Sequence, residues 1–295
     1  MQNLGIDIGG TFIKYALTDE SCHIIKKWEK PAKLFSSKDD FYDYLCEKID
    51  PSSVRYIGVS APGIIDKDAN VLSKASENIR IMYQTNINRE VSLRLNRPTA
   101  SINDAKAAGF CELKLGNGKG TESSVYWIIG TGIGGCVCSR DSILSGKDNI
   151  AGEFSFLPLT IKDNKIVNIG KTASMKALIN LYNQRVPEEE KTEYGKEICH
   201  RYLSRDPVAT DVINEWCQNI VLGLYSVIIF YNPEVICIGG GISEEDWFIE
   251  KIRDIYENGV KLHFKDLITT RIERCKFHND SNILGAVLYA EEVLS

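Results

Sequence analysis

Several features are scarce in this sequence, and each scarcity excludes something. Lys and Arg never gather into a run long enough for a basic stripe. With 35 of them against 40 Asp and Glu, the chain carries a formal charge of −5 and has a pI near 5.6. A nucleic-acid face depends on clustered cations that neutralise phosphates, so nucleic acid is disfavoured and a small-molecule ligand is expected. The opening "MQNLGIDIGG" has no basic segment leading into an apolar stretch, and no continuous apolar run reaches the roughly 18 residues of a membrane span. A cytoplasmic protein without membrane association is the expectation.

Nine cysteines are present, but the number is odd and they sit in apolar contexts such as "FYDYLCEKI", "GGCVCS" and "VICIGGG". Cys used as a small core residue in a reducing compartment explains this better than a disulfide framework. Cys136 and Cys138 would share one face of a strand, yet no second Cys or His pair stands at zinc spacing. Low-complexity segments and short-period repeats are also missing.

What remains is a globular composition. The 295 residues are 43% hydrophobic and 25% charged, enough for two lobes with sizeable cores. The first segment, "NLGIDIGGTFIKYALTDESCHIIKKWEK", reads as two strands joined by a turn at Thr18 to Cys22. A helix follows in "DDFYDYLCEKI", with Phe41, Leu45 and Ile49 on one face, and "VRYIGVSAPG" is a buried strand ending at a Pro-Gly break. "NINREVSLRLN" is helical, and "PTASINDAKAAGF" is a short strand whose end carries Asn103 and Asp104 just ahead of a helix. The break "NGKGTESS" divides residues 1–117 from 118–281. "SSVYWIIGTGIGGCVCS" then repeats the opening logic of strand, glycine turn and strand. Residues 282–295 form a closing helix that completes the first lobe. Duplicated α/β lobes commonly bind a ligand between them.

Three glycine clusters each follow an apolar run: "DIGGT" at 7–11, "GTGIGG" at 130–135 and "GGG" at 239–241. Glycine lets backbone N–H groups approach phosphate oxygens and permits positive φ. Any one cluster is as well explained by a tight turn. Neither common nucleotide fingerprint is present, because "GTGIGG" lacks the Lys-Ser or Lys-Thr of a P-loop and enters a strand rather than a helix. Glu153, in "NIAGEFSFLPL", stands among small and apolar residues about twenty positions later. A carboxylate there is hydrogen-bonded, exposed at a rim, or holding something, since an unpaired buried charge costs several kcal/mol.

"GIDIGGTFIK", "GVSAPGIID", "NDAKAAGFCE", "IIGTGIGG", "AGEF" and "NPEVICIGGGIS", in that order and across nearly the whole chain, resemble the ROK family of bacterial sugar kinases and sugar-responsive repressors. The resemblance implies a two-lobed actin-like ATPase (ribonuclease H-like) α/β fold with an active site in the cleft between lobes. Asp7, Gly9, Gly10, Thr11 and Lys14 match the first phosphate loop, whose Asp helps to hold Mg²⁺, often through water. Thr131 and Gly132, with Gly134 and Gly135, match the second phosphate loop, and Gly239, Gly240, Gly241 and Ile242 match the adenosine motif. ATP with Mg²⁺ is the implied cofactor pair, and a homodimer follows by analogy.

Asp104 matches the family's catalytic base and Asn103 a sugar-hydroxyl ligand beside it. Phosphoryl transfer to an alcohol does need a carboxylate to accept the hydroxyl proton. "SINDAKAAGF" is also a good helix start, so a capping role stays open for Asp104. Glu153 matches the Glu that accepts hydrogen bonds from sugar hydroxyls, read here as an apolar strand opening into a cleft. Gly63 matches a position lining the sugar site, although a plain turn explains it nearly as well.

Two departures matter. Many members continue from "GE" to "GH" and a Cys-rich zinc module; here Phe156 stands at the His position and no Cys occurs from 139 to 198, so no zinc site is expected. In the family, that His and the module's final Glu also touch the sugar, so the resemblance without them implies a glucoside or plain hexose over an acetamido sugar, with phosphorylation at the primary 6-hydroxyl. N-acetylmannosamine kinase activity is the alternative. A repressor would need a helix-turn-helix ahead of "DIGGT", for which Asp7 leaves no room. A silent sugar-binding protein would not need Asp104 and both phosphate loops.

Overall fold

The computed structural model describes residues 1–74, 77–259 and 263–295. In chain order it has β1 (Gln2–Ile8), β2 (Phe12–Thr18), β3 (Ile24–Pro31), α1 (Lys38–Cys46), β4 (Val54–Ala61), α2 (Ile87–Leu95), β5 (Thr99–Asn103) and α3 (Asp104–Leu115). Then come β6 (Ser123–Ile129), β7 (Ile133–Ser139), β8 (Ser142–Ile143), β9 (Pro158–Lys162), β10 (Lys165–Asn168), α4 (Gly170–Ala173), α5 (Met175–Asn183), α6 (Gly195–Leu203) and α7 (Pro207–Tyr231). The chain ends with β11 (Val235–Gly239), α8 (Asp246–Asp254), β12 (Arg271–Arg274) and α9 (Ser281–Leu294).

Two compact units result. Met1–Lys119, Cys136–Ala151 and Asn279–Ser295 make up the first, and Gly120–Gly135 with Gly152–His278 make up the second. The first unit holds a sheet of order β3-β2-β1-β4-β5, antiparallel from β3 to β1 and parallel from β1 to β5. The opening segment is therefore three strands rather than two. Gly9 and Gly10 turn β1 into β2, and the turn at 19–23 adds β3.

The alternation of β4 explains how both faces of this sheet are covered. Ile57 and Val59 join Leu4 and Ile6 in a core with Phe41 and Leu45 of α1 and Val91 and Leu95 of α2. Tyr56, on the alternate positions, packs with Ala100 of β5 and Ala290 of α9. Helix α9 also lies along α3 and touches β1, β4 and β5, so the chain's end is built into the first unit. Ile49 lies beyond the end of α1 and packs against the same core from the following loop.

The second sheet has the order β12-β11-β6-β7-β8, with β11 parallel to both β6 and β12. Among the described residues, α7 alone is long and apolar enough to cross a membrane, a feature not evident as a continuous apolar run in the sequence. It is mostly buried inside the fold, as a core helix is, and packs against α4, α5, α6 and α8. All nine cysteines are buried, as thiols rather than disulfides. Burial pushes the thiols of Cys22 and Cys46 up to about 12.

Candidate active site

In the first unit, β1 carries Asp7 at its C-terminal end, with Lys14 opposite on β2 and Ser60 opposite on β4. Ser60 Oγ donates to Asp7 Oδ1 at 2.8 Å, and Asn282 Nδ2 reaches the same oxygen at 3.4 Å. Burial holds the Asp7 pKa above the usual carboxylate range, partly offset by these two bonds and by the charges of Lys14 and Lys27. The turn beyond it stays open: Gly10 and Thr11 are exposed, and Gly9 N–H donates to the Phe12 carbonyl at 3.0 Å.

Asn103 and Asp104 occupy the junction of β5 and α3. Asn103 is the N-cap, its Oδ1 accepting from Lys106 N–H at 3.1 Å. Its Nδ2 donates to the Gly63 carbonyl and to Asp104 Oδ1, both at 3.0 Å. Ala105 N–H donates to the same Asp104 oxygen at 2.8 Å. Gly63, at φ +93°, therefore presents its carbonyl to Asn103 from the turn after β4. Asp104 is partly exposed and is the first residue of α3. The cap bond is therefore made by Asn103, and Asp104 takes the next position.

In the second unit, Thr131 and Gly132 form the exposed turn between β6 and β7. Gly130 N–H donates to Gly132 O at 3.0 Å, Met175 N–H donates to Gly130 O at 3.0 Å, and Ile133 N–H donates to Ser155 Oγ at 2.8 Å. Gly134 and Gly135 lie within β7, and a Cβ at Gly135 would stand 2.2 Å from the Phe154 ring. That bare backbone lets Phe154 pack in, stacked on Trp127 with centroids 4.9 Å apart.

Glu153 precedes Phe154 and is not in a strand, contrary to the expectation from its apolar neighbours. With φ −73° and ψ 65° it leads into a short 3₁₀ turn at Phe154–Phe156, after Gly152 at φ +90°. Glu153 is half-buried, its position set by the anchored Phe154, while Phe156 is 66% exposed.

Gly239, Gly240, Gly241 and Ile242 form the end of β11 and the start of a 3₁₀ turn, Gly241–Glu244. Gly240 has φ +93°, and a Cβ there would lie 2.0 Å from the Ile129 carbonyl, so this crossing tolerates glycine alone. A cavity of 530 Å³ opens beside Thr131, lined by Gly170, Ser174, Asn180, Glu215 and Asn219 among others. Its volume falls within the range of small-molecule pockets. Its lining from α4, α5 and α7 carried no recognisable signal in the sequence, and neither did Ser60, Asn282 or Ser155.

Among the described residues no three His, Cys, Asp or Glu side chains cluster as a metal-binding group. Asp7 still fits Mg²⁺, which retains several waters and takes one or two carboxylates together with substrate phosphates.

Residues 3–293 match the ROK family, and the chain belongs to that family. It is 30% identical to a β-glucoside kinase of Listeria innocua over 298 aligned positions, covering 98% of this chain and 97% of that one. A ROK family protein from Streptococcus pneumoniae, solved with sucrose, superposes with a TM-score of 0.88 at 24% identity, covering 99% of this chain and 98% of that one. A ROK family glucokinase from Streptomyces griseus, solved with glucose and AMPPNP, gives 0.81 at 23% identity, covering 99% and 100%. The fold is the actin-like ATPase fold.

Proposed function

We propose that this protein is an ATP-dependent sugar kinase that phosphorylates the 6-hydroxyl of a hexose or β-glucoside. The observation that carries the reading is the Asn103–Asp104 pair. A carboxylate at a helix start, its Oδ1 fixed by two N–H donors, is positioned to accept the proton of an attacking alcohol. In the reaction the sugar oxygen bonds to the γ-phosphorus, the bond to the β–γ bridging oxygen breaks, ADP leaves, and the hydroxyl proton goes to Asp104.

Asp7 is assigned to Mg²⁺, which when bound neutralises phosphate charge. Gly9, Gly10, Thr11 and Lys14 are assigned to the phosphates, as are Thr131, Gly132 and Gly134 with Gly135. Gly239, Gly240, Gly241 and Ile242 are assigned to the adenosine. Asn103 and Glu153 bind sugar hydroxyls, and Gly63 shapes their surroundings through its bond with Asn103. The primary 6-hydroxyl is the least hindered acceptor. The exposed ring of Phe156 supports an acceptor carrying an apolar face or aglycone, in keeping with the β-glucoside kinase relative.

We further propose a homodimer in the cytoplasm. Leu222, Ile229 and Phe230 share one side of α7 at helical spacing and are exposed, Phe230 at 92%. Light scattering on the purified chain tests the dimer. The activity is tested by ADP release with Mg²⁺ across glucose, mannose, N-acetylmannosamine, N-acetylglucosamine, N-acetylgalactosamine, fructose, cellobiose and an aryl β-glucoside. Turnover on glucose or the glucosides supports the proposal. Turnover confined to N-acetylmannosamine or another acetamido sugar overturns the acceptor assignment, and no turnover at all overturns the kinase.

A further inference from the structure

The first unit contains a cavity of 240 Å³ at the edge of its sheet, beside the end strand β5. Ser101 and Asn103 of β5, Lys106 and Phe110 of α3, and Tyr289 and Glu292 of α9 line it, with Ile143 and Asn149 closing another side. Two of these are costly to bury. Ser101 is 6% exposed and its Oγ has no hydrogen-bond partner among the described residues, while Lys106 is 4% exposed with its ammonium donating to the Asn149 carbonyl at 2.5 Å. Buried hydroxyls are ordinarily satisfied, so an orphan against a cavity marks a place where a bound group would complete the bonding.

The charge around the cavity is mixed. Lys106 and Asp66 both line it, and Glu292 is paired with Lys114 at 2.5 Å, leaving no excess of one sign to select an ion. Phe110 and Tyr289 meet edge to face, with centroids 6.0 Å apart, and supply an apolar wall. Hydroxyl groups on a short carbon chain match this set, because each both donates and accepts while the carbons lie on the rings. A cavity somewhat below the usual range for drug-sized ligands suits a chain of about four or five carbons.

We infer that this cavity is a binding site for a small neutral polyol, separate in its residues from Glu153 and the glycine turns. Asn103 belongs to both places, since its Oδ1 holds the Lys106 N–H and its Nδ2 holds Asp104. The inference does not rest on the kinase reading, and its test reads binding alone.

The test is calorimetric titration of erythritol and of xylitol into the full chain and three variants. One equivalent of either polyol should bind the wild type. Binding should weaken about tenfold or more in Ser101→Val, vanish in Ile143→Trp, which fills the cavity from β8, and persist unchanged in Glu153→Gln. Ser101→Val removes an unpaired hydroxyl and should fold at least as well as the wild type. Should it not fold, Ile143→Trp decides alone. Failure of both polyols to bind the wild type overturns the inference. So does binding that both cavity variants retain, or that Glu153→Gln abolishes.

Discussion

The side-chain amide of Asn103 donates to Asp104 Oδ1 at 3.0 Å while its oxygen caps the helix that Asp104 begins. One side chain therefore both starts α3 and orients the carboxylate assigned as the base. Asn103→Ala should lose the cap, at a cost of about 1 kcal/mol in stability. It should also free the carboxylate to rotate, lowering kcat roughly tenfold or more with a smaller change in the KM for ATP. Denaturant unfolding and steady-state kinetics on the same preparation separate the two effects.

Burying the Asp7 carboxylate costs the fold stability at neutral pH. Its pKa is raised by burial, so the folded chain holds the Asp7 proton more tightly than the unfolded chain does. The associated stability is complete below the unfolded value and is lost as pH rises through the raised folded value. Asp7→Asn should therefore raise Tm near pH 7 by on the order of 2–4 °C, and the gain should fade as pH falls toward about 4. Its Mg²⁺-dependent turnover should fall at the same time. Calorimetry at several pH values gives the first result, and a Mg²⁺ titration of rate gives the second.

The Gly240 crossing leaves no room for a side chain. Gly240→Ala would place a methyl 2.0 Å from the Ile129 carbonyl at φ +93°. A loss of about 3 kcal/mol or more in unfolding free energy is expected, with weaker ATP binding in whatever folds. Gly241→Ala is the control, because nothing lies within 4 Å of the added methyl.

Phe154 and Phe156 are two residues apart and should behave oppositely. Phe154 is buried against Trp127, so Phe154→Ala should cost about 3–5 kcal/mol and loosen Glu153. Phe156 is 66% exposed, and Phe156→Ala should leave Tm within about 1–2 °C of the wild type while raising the KM for an aryl β-glucoside more than for glucose. Equal KM changes for both sugars would contradict a role for Phe156 at an aglycone.

The nine buried thiols should resist modification. Native protein should react with a thiol reagent at pH 8 only slowly, whereas unfolded protein should expose all nine at once.

Local pattern made part of this legible. The strand, glycine turn and strand of 123–139 is a nearest-neighbour feature, and so is the step from Asn103 to Asp104, where strand alternation gives way to a helix start. The support around Asp7 was not legible, because Ser60 and Asn282 reach it across 53 and 275 positions through sheet register and the return of α9. Glu153 misled for a related reason. Its apolar neighbours suggest a strand, but Gly152 at positive φ and the anchoring of Phe154 under Gly135 turn the chain there. The extra strand of the opening segment was hidden at Gly9 and Gly10, where apolar alternation continues on both sides of a turn that Gly9 N–H closes on the Phe12 carbonyl, so β1 and β2 read as one strand ahead of β3.

The most direct test of the central claim is the rate of ADP formation by wild type and Asp104→Asn, at saturating Mg·ATP and the best acceptor sugar, with ³¹P spectra of the product. The account predicts a sugar 6-phosphate from the wild type and a loss of 10²-fold or more in kcat for the variant with ATP binding intact. A variant that turns over at the wild-type rate would contradict it, as would a wild type that binds ATP yet phosphorylates no sugar.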